Sequence, residues 1–209
     1  MRKFVSLAVI LCGIMFFAGC NTVRDAVGNI MTGDYVVGTI DGNEFFSEWL
    51  NLRFTAPSGF IMATQEEMWE FTQLGMEVAD IDPAIANWAE MAVAFEMMAM
   101  TLDGMVSVTV LTERVMLRAM TVEQYFEAML QGVRDSLGWI VDFNYDMEPV
   151  NFAGLEWYTA TSTVQAFGMD FTYRYFVRRF DNRMAVITIY AITGQEAQID
   201  ILVNAFRAY

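Results

Sequence analysis

Apolar and polar positions alternate with a period of two in some stretches of this chain and recur every three to four residues in others, so strands and helices are both expected. Tyr35 to Ile40 reads as a strand, Asp41-Gly42 as a turn, and Trp49 to Thr55 as a second strand stopped by Ala56-Pro57-Ser58-Gly59. Thr64-Gln65-Glu66-Glu67 has the form of a capping box, so a helix should start there, with Met68, Phe71, Gly75 and Val78 facing inward. Asp82-Pro83 supplies a second helix start. Val93 to Thr101 and Met105 to Val115 flank Asp103-Gly104, a hairpin signal.

A second box at Thr121-Val122-Glu123-Gln124 leads a helix with one apolar stripe: Val122, Phe126, Met129, Leu130, Val133 and Leu137. Four strands follow, at about Trp139 to Met147, Leu155 to Gln165, Met169 to Phe180 and Arg183 to Ile192. Their short connections imply antiparallel pairing. Thr193-Gly194-Gln195-Glu196 reads as a third box, opening a terminal helix with Ile199, Leu202, Val203 and Phe206 on one side. The fold class expected is therefore α+β: a largely antiparallel sheet of about seven strands flanked by helices.

The first hydrophobic run differs from all of these. Arg2 and Lys3 precede an apolar stretch from Phe4 to Phe17, which closes on Ala18, Gly19 and Cys20. At about 14 residues it is shorter than the roughly 20 that span a bilayer, and it has the layout of a cleaved leader. Phe17-Ala18-Gly19-Cys20 resembles the bacterial lipobox, in which the cysteine is acylated and becomes the new N-terminus, although phenylalanine stands where leucine is usual. The alternative is an ordinary signal peptide with an unacylated Cys20. Cys12 would leave with the leader, so the mature chain would have no second cysteine for an intramolecular disulfide.

The expected organisation is a lipoprotein signal peptide at 1–19, an acylated cysteine and tether at 20–33, and one globular domain at 34–209. At about 3.3 Å per extended residue the tether could reach some 40 Å. Val23, Ala26, Val27, Ile30 and Met31 fall at helical spacing, which leaves a short surface helix as the alternative to a disordered tether.

Charge and composition narrow the chemistry. The formal net charge is −14 with no histidine. Losing Arg2 and Lys3 with the leader would take it to −16, and every remaining positive charge would be an arginine. Such a surface repels phosphate backbones and anionic lipid, so no nucleic-acid partner is expected. Without histidine there is no Ser-His-Asp triad and no imidazole metal site, and without lysine beyond the leader there is no Schiff base. No cofactor or metal is expected.

The order of elements, with Pro57-Ser58-Gly59-Phe60 after the second strand and Thr112-Glu113-Arg114 closing the hairpin, resembles the PsbP-like α/β/α sandwich from about Asp34 to Tyr209. That superfamily includes the extrinsic oxygen-evolving subunit of photosystem II, a eukaryotic Ran-binding import factor and many bacterial lipoproteins. The resemblance implies a binding or assembly module and no catalytic centre. It places no functional residue on this sequence.

Several residues invite a site. Arg174, Arg178, Arg179 and Arg183 lie within ten positions, and alternation puts Arg174 and Arg178 on one strand face with Arg183 across the turn. Guanidinium forks so placed could grip a carboxylate or sulfate-bearing ligand, or simply pair with the chain's own acids. Trp49 and Trp88, beside acids and amides, are candidates for exposed contacts, the other three indoles for burial. Glu77, Asp80 and Asp82 could ligate calcium but lack a spaced acid ladder, and solvation or capping explains them. Glu66, Glu67 and Glu70 suit a helix N-terminus. Met97, Met98 and Met100, near Met91 and Met105, suggest copper thioether ligation or, more simply, core.

The function expected is that of a membrane-anchored extracytoplasmic lipoprotein, held by its N-terminal lipid in the cell membrane or outer envelope and binding an envelope protein without catalysis. The alternatives are a carboxylate-based envelope hydrolase and a ligand-capture lipoprotein for a transporter.

Overall fold

The computed structural model describes residues 35–78, 92–115, 119–137, 140–166 and 169–209, with backbone alone at 74–78, 132–137, 140–146 and 166. Cys20, the leader and tether, Asp80, Asp82, Trp88, Met91 and Trp139 lie outside the described residues, as does the side chain of Glu77.

The described elements are β1 (Thr39–Asp41), β2 (Glu44–Ser47), β3 (Leu52–Thr55), β4 (Phe60–Met62), α1 (Gln65–Val78), β5 (Val93–Thr101), β6 (Val106–Arg114), α2 (Val122–Leu137), β7 (Ile140–Phe152), β8 (Leu155–Ala166), β9 (Met169–Phe180), β10 (Arg183–Ile192), α3 (Ala197–Val203) and β11 (Phe206–Ala208). Seven strands form the large sheet, in the order β4-β5-β6-β10-β9-β8-β7, and four form a small one, β1-β2-β3-β11. Every pairing is antiparallel.

Alternation along the strands divides the core between the two faces of the large sheet. On one face Leu111, Tyr173, Tyr175, Met184 and Val186 meet Val122, Phe126, Met129 and Leu130 of α2. Next to them Met98 and Met100 receive Met68 of α1. On the other face Met97, Val108, Val110, Ile187 and Ile189 pack with Phe45, Leu52 and Phe54 of the small sheet and with Ile199 and Leu202 of α3. The expected seven-stranded antiparallel sheet with helices against it is present. The first two expected strands are not part of it: only Thr39 and Ile40 of the first and Leu52–Thr55 of the second are strand, in the small sheet that shares the second face with α3.

The turns follow their residues. Gly104 takes a φ of 68°, and Asp103 accepts from the Met105 amide at 3.0 Å and from Thr101 Oγ1 at 2.6 Å, closing the β5–β6 hairpin. Two capping boxes form. Thr64 N donates to Glu67 Oε2 at 2.8 Å and Glu67 N to Thr64 Oγ1 at 3.2 Å. At α2 the Thr121 and Gln124 pair does the same at 3.0 and 3.2 Å.

The third expected box does not form. α3 has Glu196 as its N-cap with no side-chain cap, and the Glu196 carboxylate accepts from Gly194 N instead. Thr193 donates from both its amide and its hydroxyl to the Asp170 carbonyl, which holds it against β9 and away from the helix. Phe206, expected on that helix, sits in β11 beyond the helix end at Asn204.

Candidate functional site

The most concentrated buried chemistry lies on the small-sheet face, where β5, β6 and β10 meet the segment leading into β1. Ala94 pairs with Thr112 and Phe95 with Leu111, but Met97 pairs with Val110, so Glu96 is the extra residue of a β-bulge. The bulge turns Glu96 inward, and the carboxylate has no solvent exposure. Arg183 opens β10 and is 6% exposed, and Thr112 beside it is fully buried.

Tyr35 joins these groups. Arg183 Nη1 donates to Thr112 Oγ1 at 3.2 Å, Thr112 Oγ1 donates to the Tyr35 hydroxyl at 3.0 Å, and that hydroxyl donates to Glu96 Oε1 at 2.5 Å. Guanidinium and carboxylate are thus linked through two hydroxyls, each accepting one hydrogen bond and donating one. The second carboxylate oxygen, Oε2, accepts from the Gly38 amide at 2.6 Å. The Arg183 guanidinium also lies 3.8 Å from the centre of the Tyr35 ring, in cation–π contact. A Cβ at position 38 would run into the ring of Phe45, which accounts for glycine there.

Burial dominates the electrostatics. It raises the Glu96 carboxyl above the usual range, against the hydrogen bonds from Tyr35 and Gly38. Burial, then the neighbouring Glu96 charge, raises the Tyr35 phenol, which stays protonated as a donor at physiological pH. The same desolvation lowers Arg183.

Aromatic rings close the site. The Trp49 indole meets Tyr35 edge-on at 5.0 Å and Phe180 at 5.0 Å, and Phe180 lies 5.9 Å from the buried Trp157. Trp49, expected as an exposed contact, is half-buried here. Among the described tryptophans the exposed one is Trp69 on α1, at 47%. Its neighbour Met68 takes the inward position of that turn.

The four clustered arginines are drawn apart. Arg174 forms an ion pair with Asp200 of α3 at 2.7 Å. Arg178 donates to the Glu156 carbonyl at 2.9 Å and lies over the Phe180 ring. Arg179 reaches the carbonyls of Asp181 and Met120. Only Arg183 joins Trp49 at the site. Tyr35 and Thr112 carry no sequence signal of a site, and for Glu96 the one signal is a glutamate inside the apolar run Val93 to Thr101.

Glu67, Met97 and Met98 have structural roles. Glu67 is the capping carboxylate of α1, and its hydrogen bonds from the Thr64 amide and hydroxyl hold it below the usual range. Met97 and Met98 are core on opposite faces, as alternation implied. A second buried carboxylate, Glu113, lies on the α2 face of the sheet. It accepts from the Tyr125 hydroxyl at 2.5 Å, and burial pushes it up to about 7. A cavity of about 350 Å³ is lined by Asn151, Gly154, Asn204 and Arg207, but Arg207 is turned back onto the carbonyls of Asn204 and Phe206. Among the described residues no group of three or more acidic or cysteine side chains could hold a metal ion. No described helix is long and apolar enough to cross a membrane.

No family model and no curated protein matches the chain. Solved structures of similar shape include cyanobacterial PsbP (CyanoP) from Synechocystis, with 11% identity, a TM-score of 0.49, and coverage of 88% of this chain and 99% of that one. Another is LpqN of Mycobacterium tuberculosis, described as involved in cell envelope biogenesis, with 10% identity, a TM-score of 0.37, and coverage of 75% and 82%. The α+β class itself follows from the strand pairings, and neither structure carries a site residue over to this chain.

Proposed function

We propose that this protein is an extracytoplasmic lipoprotein whose acylated Cys20 holds a non-catalytic binding or assembly domain at the envelope surface. The carrying observation is Phe17-Ala18-Gly19-Cys20 at the end of a short apolar run behind Arg2 and Lys3. Two or three acyl chains on one cysteine anchor a domain firmly, where a single chain binds only marginally. LpqN, a structure of similar shape, is described as taking part in envelope biogenesis, which agrees with that location. A binding role agrees with the buried chemistry: both oxygens of Glu96 and the face of the Arg183 guanidinium hold the segment from Tyr35 to Gly38.

The anchor is tested by Cys20→Ala. The variant should fail to incorporate labelled fatty acid and should leave the membrane fraction for the soluble one. Unchanged membrane retention and labelling would refute the anchored reading.

A further inference from the structure

The Glu96, Thr112 and Arg183 site is filled by a segment of the chain whose backbone joins no sheet. Residues 35–38 pair with no strand, and regular pairing begins only at Thr39, opposite Phe46. Val36 is 70% exposed and Val37 44%. The segment is fixed through one side chain and one amide: the Tyr35 phenol by Glu96, Thr112, Arg183 and Trp49, and the Gly38 amide by Glu96. The receiving groups stand on β5, β6 and β10, which are paired along most of their length in the large sheet. The receptor is therefore rigid, and its occupant is held by side-chain and single-amide contacts in place of a strand pairing.

The chemistry of the receptor matches one side chain. A ring lying against a guanidinium and meeting an indole edge could be any aromatic. A hydroxyl that accepts from Thr112 and donates to Glu96 requires a phenol. Phenylalanine in its place would leave a buried carboxylate oxygen and a buried hydroxyl short of a partner, each costing about 1–3 kcal/mol. The second contact, from Gly38 N to Glu96 Oε2, reads backbone and needs only a free N–H three residues after the tyrosine.

We infer that this site is a receptor for a tyrosine-led extended peptide segment, filled in cis by Tyr35–Gly38 and open to exchange with a partner segment of the same chemistry. The inference rests on the binding-module reading and supplies its recognition element. The partner segment carries a tyrosine and, three residues on, a residue other than proline. The strongly acidic chain favours neutral or basic flanks on that segment.

The test uses the full chain in detergent and two blocked peptides, acetyl-Tyr-Val-Val-Gly-amide and its phenylalanine counterpart. In the wild-type protein the Gly38 amide should exchange with solvent far faster than the paired amides of β10, and the tyrosine peptide should speed it further. With Tyr35→Ala, which vacates the site, the tyrosine peptide should bind at least about tenfold more tightly than the phenylalanine one. Adding Glu96→Ala should erase that preference. Equal binding of the two peptides, or a Gly38 amide as protected as β10, overturns the inference.

Should Tyr35→Ala fail to fold, Tyr35→Phe keeps the ring and removes only the hydroxyl. It should raise Gly38 exchange by about tenfold, and an unchanged rate overturns the inference equally. An acylated, envelope-bound chain that does not discriminate the peptides refutes the receptor alone. A chain that discriminates them but is not acylated refutes the anchored reading and leaves the receptor standing.

Discussion

Glu113 and Glu96 lie on opposite faces of one sheet, and both are carboxyls that burial pushes upward. A carboxyl raised in the folded state binds its proton more tightly there than in the unfolded chain, so stability falls as pH rises between the unfolded and folded values. For Glu113 that interval runs from the ordinary glutamate value of 4.5 to about 7. The charged form costs on the order of 3 kcal/mol once pH exceeds the upper limit. Glu113→Gln should abolish this loss, so its unfolding free energy in urea should exceed that of the wild type at pH 8 and fall to or below it at pH 4.5. A wild-type stability that is flat across this interval would contradict the assignment. Glu96 works in the same direction, so the wild-type domain as a whole should be more stable in mild acid than at pH 8. At this scale the sequence showed the arginine and the tryptophan of the site but not Tyr35, Thr112 or Glu96. A bulge is one extra residue in a run that otherwise alternates, and in Val93 to Thr101 no glycine or proline marks it.

Helix starts show where local sequence suffices and where it does not. The boxes at Thr64 and Thr121 need only the four residues that make them, and both form as read. Thr193 has the same spacing to Glu196 and forms none, because its amide and hydroxyl bonds to the Asp170 carbonyl hold it against β9 and away from the helix. Thr121→Ala should therefore lower the unfolding free energy by about 1 kcal/mol, the usual worth of a cap. Thr193→Ala, which keeps its amide bond to Asp170 and loses only an exposed hydroxyl contact, should cost less than about 0.5 kcal/mol. Parallel urea titrations of the two variants check the contrast, and equal losses would show that the third box forms in solution. Of the α2 stripe, Val122, Phe126, Met129 and Leu130 were legible for the same local reason, while the side chains of Val133 and Leu137 lie outside the described residues; the stripe omitted Tyr125, which is buried with its hydroxyl on Glu113.

Across the whole molecule, the second sheet is what the linear pattern did not show. β11 is three residues long and pairs with β3 about 150 positions earlier, so nothing near either strand announces the other. Phe206 locks the pairing: it is 2% exposed and packs against Phe54 at 4.8 Å and Phe152 at 5.0 Å between ring centres. Phe206→Ala should cost about 3–5 kcal/mol and expose the amides of β3 to exchange. Tyr209→Ala, at an exposed ring, should cost less than about 1 kcal/mol. Similar losses from the two variants would show that β11 is not a structural part of the small sheet.

The sequence by itself determined the α+β class, the antiparallel hairpins and two of the helix starts. Those features depend on period and on neighbours within about four residues, where sterics and short hydrogen bonds decide. Tertiary structure decided that the N-terminal strands pair with the C-terminus, that α1 and α2 share one face of the sheet, and that Arg183 alone of its cluster meets Glu96 through Tyr35. These are contacts between positions about 60 to 150 residues apart. They form only when competing pairings for the same strand edge or the same buried charge have been lost, and that competition leaves no mark on any short stretch of chain.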